Sequence, residues 1–366
     1  MSVRLFLRGF TLKTLFLTCL SFGLFVSSAA LAADTAAEQS GGSTFDLEAM
    51  ARDSALKNQD RSYWSFAHEN DLFAGSGDKF YTSGSQVTYF DVDAKTPDVV
   101  RLVADQWLGF DVGETTLTSF TFGQKIFTPR NIRLSAEQVG DRPWAGWLYG
   151  TVGLANVYRN HVDQFGLTLG IVGPWSGAEH TQRFIHENIS DSPEPMGWGN
   201  QLHTEPGLMV SWDRRWPVWH EVTWKGYGLQ FEPSVSFSLG NVYTYAGSGM
   251  TVTFGPNKGV VQDTPPRLNP SLPGTGYFDV PDSGWNWYLF GGVNGRVVAR
   301  NIFLDGNTFR DSYEVDKNIL VGDANAGLAF TLGDTRIAYT LVYRSKEFKG
   351  QDGASVFGSV SLTQRF

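Results

Sequence analysis

The sequence is poor in cysteine and in charge. Its 366 residues include a single cysteine, Cys19, and only 18% are charged. One cysteine excludes a disulfide-stabilised scaffold. The formal net charge is −8, opposite in sign to the basic surface of a nucleic-acid-binding protein. The 52 aromatic residues (12 Trp, 13 Tyr, 27 Phe) are too many for a disordered chain. With 41 glycines, they favour many short strands joined by tight turns.

The first 32 residues have the pattern of an export signal. Three basic residues and no acidic one precede the apolar run Leu15–Val26, and Ala30-Leu31-Ala32 follows it. This order is typical of a secretory signal peptide, whereas a transmembrane anchor needs a longer apolar run. Cleavage after Ala32 would remove the only cysteine and leave 334 residues with a net charge of −11.

Beyond residue 32, no stretch is long and apolar enough for a transmembrane helix. The C-terminal segment Ser355–Phe366 instead alternates, with Val360, Leu362 and Phe366 on one face and Ser and Thr residues on the other. Outer-membrane barrels alternate lipid-facing apolar and lumen-facing polar residues in this way. We therefore predict an all-β fold, a 12-stranded antiparallel transmembrane β-barrel of the Gram-negative outer membrane. A soluble sandwich is the alternative.

Twelve segments carry the strand pattern, an even number that closes a barrel without a free edge. They lie near residues 62–70, 83–92, 115–129, 145–158, 164–173, 206–216, 227–238, 242–254, 285–300, 320–332, 336–347 and 355–366. Aromatic pairs near the strand ends predict girdles at the membrane interfaces. These pairs are Tyr63 and Trp64, Trp144 and Trp147, Trp212 and Trp216, and Trp285 and Trp287.

The predicted organisation is a signal peptide (1–32), a periplasmic N-terminal extension (33–60) with a short helix near Phe45–Leu56, and the barrel (61–366). If both termini are periplasmic, the turns near 71–82, 130–144 and 174–205 face outside. The same parity puts the long segment 255–284 on the periplasmic side, where turns are usually short. Either the strand register is wrong there or an insertion sits inside the barrel.

Residues that could carry chemistry lie at one end of the predicted strands. Asn70 and Asp71 end the first strand and Thr82 opens the second, so a hairpin brings them together at the outer rim. Their oxygens are of the kind that calcium prefers, although Asn, Asp and Ser are also ordinary turn residues. Parity places His186, in the long third loop, on the same side of the membrane. Gln182, Ile185 and His186 could share one helical face, and histidine suits proton transfer near neutral pH.

Other catalytic machinery is absent from the sequence. It contains no G-x-S-x-G nucleophile elbow, no H-E-x-x-H zinc motif and no P-loop. After signal cleavage no cysteine remains to act as a nucleophile. A hydrolase built on this chain would therefore use an activated water, a histidine base and a metal ion.

At these residues the chain resembles the lipid A 3′-O-deacylases of Gram-negative outer membranes, the LpxR type. The resemblance rests on the Asn70-Asp71 pair, on Tyr81-Thr82-x-Gly84, and on Gly173-Pro174 with His186 thirteen residues after that glycine. It covers about residues 62–366. It implies a twelve-stranded barrel that removes the 3′-linked acyloxyacyl group from lipid A in a calcium-dependent reaction.

The resemblance also implies roles for individual residues. His186 would be the general base, with Asn70 and Thr82 as further catalytic residues and with Asp71, Asn70 and Asp191 near the Ca²⁺ ion. The family's acidic residue six positions after the histidine is replaced by Ser192, beside Asp191. A lysine of the family has no clear match in the second outer loop. Because the guanidinium group matches phosphate geometry, the residues expected to contact the lipid A phosphates are Arg130, Arg133 and Arg142.

The expected partners are lipopolysaccharide and the outer membrane, with the active site facing the outer leaflet, and neither nucleic acid nor an obligate protein partner. Two other functions stay open. One is an outer-membrane phospholipase, which would usually need a nucleophilic serine. The other is a non-enzymatic barrel, either a pore or a structural protein.

Overall fold

A computed structural model describes most of the chain beyond residue 61. The described residues are 47–49, 62–74, 80–91, 94–106, 110, 112, 116–190, 192–217, 219–256, 264–265, 268, 278 and 283–366. All of them belong to one compact unit, Phe45–Phe366. The predicted signal peptide and most of the predicted extension lie outside them, and residues 47–49 are helical. No helix in the described part of the chain has the length and apolar character needed to cross a membrane.

The described strands form one antiparallel sheet that closes on itself. They are β1 (Ser62–Asn70), β2 (Phe80–Asp91), β3 (Leu117–Thr128), β4 (Ala145–Val157), β5 (Val162–Val172), β6 (Glu205–Arg215), β7 (His220–Trp224), β8 (Tyr227–Gly240), β9 (Tyr243–Pro256), β10 (Trp285–Asn301), β11 (Leu320–Leu332), β12 (Thr335–Arg344) and β13 (Ser355–Arg365). Strands adjacent in sequence pair with each other, except that β6 and β7 both pair with β8, and β1 pairs with β13. Because β6 and β7 share one position in the wall, the thirteen segments form twelve wall strands. The predicted closed twelve-stranded antiparallel barrel is confirmed.

The short strand β7 is the one strand that the sequence pattern did not predict. It continues the direction of β6 and pairs with the first part of β8, with His220 opposite Phe231. Pro217 separates β6 from β7, because proline has no N–H to give to the ladder. The β7–β8 hairpin turns at Lys225 and Gly226, whose φ angles of 49° and 82° are typical of a two-residue type I′ turn.

The barrel has a polar interior and an apolar exterior. Hydroxyl pairs bridge adjacent strands inside it, such as Ser65 with Thr363 at 2.9 Å and Thr88 with Thr121 at 2.8 Å. In β13 the Ser and Thr residues are buried in the lumen, whereas Leu362 is exposed on the outward face. This is the alternation that the C-terminal segment predicted, and it suits a wall surrounded by lipid.

Several aromatic residues predicted for the membrane interfaces are buried, so that prediction was wrong for them. Trp64 and Trp285 are exposed on the outward face, but Trp144, Trp147 and Trp216 are at most 2% exposed. Tyr63 and Trp212 are buried as well. Trp147 points into the lumen and stacks on the Tyr149 ring at 4.5 Å. Position near a strand end does not decide which face a side chain occupies.

The segment between β9 and β10 contributes residues to the barrel interior. Leu268 is buried, its N–H donates to Glu69 Oε1 at 2.9 Å, and Lys125 Nζ donates to its carbonyl oxygen. The Phe278 ring packs edge-on against Tyr63 at 6.0 Å. Of the two explanations for this long segment, the described residues support an insertion inside the barrel.

Three α-helices lie between the described wall strands. They are α1 (Asp98–Ala104), α2 (Ala178–Asn188) and α3 (Ile302–Asp305). Helix α3 covers the lumen at the end of the barrel where β1 ends, which we call the site end. Its Phe303 is fully buried and stacks on Phe127 at 4.1 Å. Helix α2 begins at the same end and carries His186.

Candidate active site

The candidate site is built on one row of the barrel wall at the site end. Strand pairing joins Asn70 of β1 to Ser83 of β2, Ser83 to Ile126 of β3, and Ile126 to Gly146 of β4. All four lie on the outward face, because each is an even number of residues away from an exposed residue on its own strand or is paired with one that is. The exposed residues are Phe66 on β1, Val87 on β2 and Phe122 on β3. We call these four residues the site row. Ser83 and Ile126 are nevertheless buried, so something outside the wall covers them.

Helix α2 and the turn before it cover the site row. A Cβ atom added at Gly146 would lie 2.2 Å from both Ala178 Cβ and Ser176 Oγ, so this turn rests directly on β4. Gln124 of β3 fixes the same turn by donating to the Ser176 carbonyl at 2.7 Å. Gly177 begins the helix in the left-handed conformation, with φ at 70°, a backbone shape that favours glycine.

The face of α2 that meets the wall carries Gln182 and His186, which are one turn apart. Gln182 is buried, and its Oε1 accepts a hydrogen bond from Trp198 Nε1 at 2.9 Å. Trp198 packs on Trp144 with ring centroids 5.1 Å apart. An apolar cluster completes the support, formed by Ile126, Ile132, Trp144, Ala178 and Trp198. The helical face predicted from the sequence is therefore present, but its tryptophan partners came from distant segments.

The hydrogen bond at His186 determines which of its ring nitrogens can act as a base. His186 Nδ1 lies 2.6 Å from the carbonyl oxygen of Pro193. A carbonyl oxygen only accepts hydrogen bonds, so Nδ1 carries the proton and donates it. In the neutral ring, the lone pair is then on Nε2. This is how a general base is commonly oriented, with a backbone carbonyl fixing the tautomer.

The first hairpin presents the oxygen-bearing residues at the end of the site row. Asp71 follows Asn70 directly and begins the 3-10 turn Asp71–Ala74, where its side chain is only 2% exposed. The register of β2 against β3 shifts between Tyr81 and Ser83, so the backbone of Thr82 lies at a bulge. The Thr82 side chain and the whole of Asp191 lie outside the described residues. Strand β2 thus separates Asn70 from β3 and β4, which helix α2 contacts.

The donor set at the hairpin has the chemistry for a hard cation. Asp71 offers a buried carboxylate and Asn70 an amide oxygen, which are ligand types for Ca²⁺. Among the described residues, no group of three or more His, Cys, Asp or Glu side chains is arranged to hold a metal ion. Calcium commonly completes its coordination with backbone carbonyls and water.

The three arginines predicted to meet phosphate have different surroundings. Arg130 and Arg133 are exposed in the loop between β3 and β4, and Arg130 is paired with Asp352. Arg142 is fully buried, 3.6 Å from Glu347 and 4.8 Å above the Phe127 ring centroid. Burial lowers the pKa of its guanidinium, and the nearby Glu347 opposes this. Arg142 thus differs from the two exposed arginines in being enclosed by protein atoms, and its contact with phosphate stays a prediction.

The outward face changes character just below the site row. The next row along the strands, which we call the polar row, contains His68, Ser85 and Gln124. His68 Nδ1 and Ser85 Oγ are 2.8 Å apart. The row after that is apolar and exposed, with Phe66 and Phe122. Two residues of strand span roughly 7 Å, so the polar row lies about that far from the site row and the apolar row about 13 Å from it.

Comparisons with known proteins give one family and one informative structure. A family model described as outer membrane protein LpxR matches residues 20–366. LpxR from Salmonella typhimurium is similar in structure, with a TM-score of 0.65 and 21% identity over 82% of this chain and 99% of the other. At that identity the likeness shows the fold. The β domain of the Bordetella autotransporter BrkA, with a TM-score of 0.38 and 8% identity over 84% and 98%, carries no argument. Comparison with curated proteins gives no match.

The family model thus spans the whole barrel and every candidate site residue. The chain belongs to the LpxR family of outer-membrane proteins.

Proposed function

We propose that this protein is a lipid A 3′-O-deacylase, which hydrolyses the 3′-linked acyloxyacyl ester of lipid A with a histidine base and an activated water. Membership of the LpxR family supports this function. The observation that carries the proposal is the His186 geometry. Its ring is held by the Pro193 carbonyl, on a helix that rests on the outward face of a barrel wall.

The reaction needs a base, a water molecule and a group that stabilises the negative charge on the carbonyl oxygen. His186 Nε2 takes a proton from water, and the water oxygen attacks the ester carbonyl carbon. When the bond to the sugar 3′-oxygen breaks, the protonated ring returns its proton to that oxygen. Asn70 donates its amide N–H to the carbonyl oxygen as negative charge develops there. Thr82, in the bulge of β2, holds the hairpin end in position.

Asp71 and Asn70 are the residues that would hold a calcium ion, with Asp191 as a further ligand. A bound Ca²⁺ supplies a positive charge that polarises the ester carbonyl. The buried Asp71 carboxylate fits this role, because a buried anion is stabilised by a nearby cation.

The dimensions of the wall support a single site formed by the helix and the hairpin. From Ala178 to His186 the helix extends by about 12 Å, since each residue adds about 1.5 Å. The site row crosses three strand spacings between Gly146 and Asn70, roughly 14 Å in all. A helix seated on β4 and directed across β3 can therefore bring His186 towards the Asn70-Asp71 hairpin.

The boundary between polar and apolar rows supports a substrate that stays in the membrane. The ester of a lipid lies where its headgroup meets its acyl chains. The site row is separated from the apolar band by the polar row alone, which suits an ester held at this boundary. We infer that the site end faces the outer leaflet, with Arg130 and Arg133 exposed towards the lipid A phosphates.

Specific observations argue against the two other functions, a pore and a phospholipase. A pore needs an open lumen, but Leu268 and Phe278 are buried inside the barrel and α3 covers the site end. A phospholipase with a serine nucleophile needs a partnered serine, and Ser85 beside His68 is such a pair. The further hydrogen bond of the His68 ring is with the Gly84 backbone and not with a carboxylate.

The proposal is tested by mass spectrometry of lipid A from Gram-negative cells that express the protein. We expect the mass of the 3′ acyloxyacyl group to be lost with the wild type and retained with His186→Ala. His180→Ala is the matched control, since His180 is exposed on the same helix, and it should behave like the wild type. Lipid A that is unchanged in all three strains contradicts the proposal. Release of fatty acid with intact lipid A favours the phospholipase.

A further inference from the structure

We propose that His68 and Ser85 of the polar row recognise an oxygen atom on the acyl chain that is cleaved, and so select chains that carry oxygen at the β-carbon. The inference rests on the proposed deacylase function and adds a specificity site to it. The candidate ligand is the hydroxyl or acyloxy group of a 3-oxygenated fatty acyl ester.

The position of the pair relative to the site row is the first argument. His68 and Asn70 are two residues apart on β1 and both lie on the outward face. Ser85 lies opposite His68, just as Ser83 lies opposite Asn70. An ester held at the site row and extended along the strands towards the apolar band therefore passes over His68 and Ser85. The oxygen on its β-carbon is only three bonds from the carbonyl carbon.

The surroundings of the pair are the second argument. Below it the wall is apolar, with Phe66 parallel to the His68 ring at a centroid distance of 6.4 Å. Phe73 meets the same ring edge-on at 5.5 Å. These two rings flank the imidazole. A polar pair in such a position carries a desolvation cost that hydrogen bonding must offset.

The remaining hydrogen-bonding capacity is the third argument. A serine hydroxyl has one donor and two acceptor positions, and an imidazole has two nitrogens. The bond between His68 Nδ1 and Ser85 Oγ uses one position on each, and the His68 ring also has a hydrogen bond with the Gly84 backbone, so the serine hydroxyl keeps the larger free capacity. Gln124, the third member of the polar row, is already engaged by the Ser176 carbonyl. The His–Ser pair is thus the part of this row that can contact a substrate oxygen.

The test compares two synthetic lipid A substrates that differ only in the 3′-linked chain, which either carries a β-oxygen or is unsubstituted. The purified wild-type protein should cleave the oxygenated chain with a kcat/KM about tenfold higher, the amount that one net hydrogen bond supplies. His68→Phe and Ser85→Val should bring this ratio close to one. His68→Gln, which keeps a donor and an acceptor, should retain part of the preference. His220→Phe makes the same replacement on β7, far from the site row, and should leave the ratio at the wild-type value.

The outcomes separate this inference from the function on which it rests. If the wild type cleaves neither substrate, the deacylase proposal fails. If it cleaves both and the ratio is the same in His68→Phe, Ser85→Val and the wild type, the specificity inference is overturned. It is also overturned if Ser85→Ala abolishes cleavage of both substrates and the wild type forms an acyl-enzyme on Ser85, because Ser85 would then be a nucleophile.

Discussion

The contact between Gly146 and the turn before α2 gives a prediction that separates the position of the helix from the stability of the barrel. In a Gly146→Ala variant, the new Cβ would meet Ala178 Cβ and Ser176 Oγ at 2.2 Å, whereas an ordinary contact begins at about 3.4 Å. The turn must therefore move by at least about 1.2 Å, the difference between these distances. Because His186 is on the helix that follows, its ring moves away from its working position.

A displacement of about 1 Å in a catalytic group can cost roughly 10²-fold in rate. We expect Gly146→Ala to lose about that much lipid A deacylation, measured as kcat/KM on purified lipid A. Gly150→Ala is the matched control, because Gly150 is on the same strand and face and its added Cβ would have no neighbour closer than 3.8 Å. Both variants should show the wild-type shift between folded and heat-denatured forms on gels. Wild-type activity in Gly146→Ala would refute the idea that the helix seat positions His186.

Three further predictions concern support, packing and metal. Gln182→Leu leaves Trp198 Nε1 without its acceptor and should lower the free energy of unfolding by about 1–3 kcal/mol. The measurement is a denaturant titration followed by tryptophan fluorescence, and an unchanged midpoint would contradict the prediction. Phe278→Ala removes a buried ring from the lumen and should cost about 3–5 kcal/mol in the same titration, whereas Phe122→Ala on the exposed outward face should cost much less. Chelation should abolish deacylation and added Ca²⁺ should restore it, and full activity in excess chelator would exclude a required metal ion.

The strand architecture could be predicted because apolar and polar residues alternate along each strand. Leu362 and Thr363 are neighbours in sequence and must lie on opposite faces of a strand, whatever surrounds them. The same reasoning located all twelve wall strands to within a few residues. It did not find β7, since the break at Pro217 divides what would otherwise be one long strand.

The parts that could not be predicted depend on contacts between distant segments. Trp144 resembles an interface aromatic in sequence, but it is buried because Trp198, from another loop, packs on it. Arg142 resembles a surface arginine until Glu347 and Phe127 are placed around it. The motif residues Asn70, Asp71 and His186 could be proposed from their order along the chain. The contact between Gly146 and the turn before α2 could not be predicted, because it depends on the register of β3 against β4.

The site formed by the barrel wall and helix α2 is proposed to hydrolyse the 3′ ester of lipid A. The most direct test incubates the purified full-length barrel with purified lipid A and calcium, and measures the mass of both the lipid and the released acid. We predict that the lipid loses the mass of one 3′-linked acyloxyacyl group, that the matching free acid appears, and that His186→Ala yields neither. An unchanged lipid A mass with the wild-type protein, or an equal loss with His186→Ala, would contradict the account.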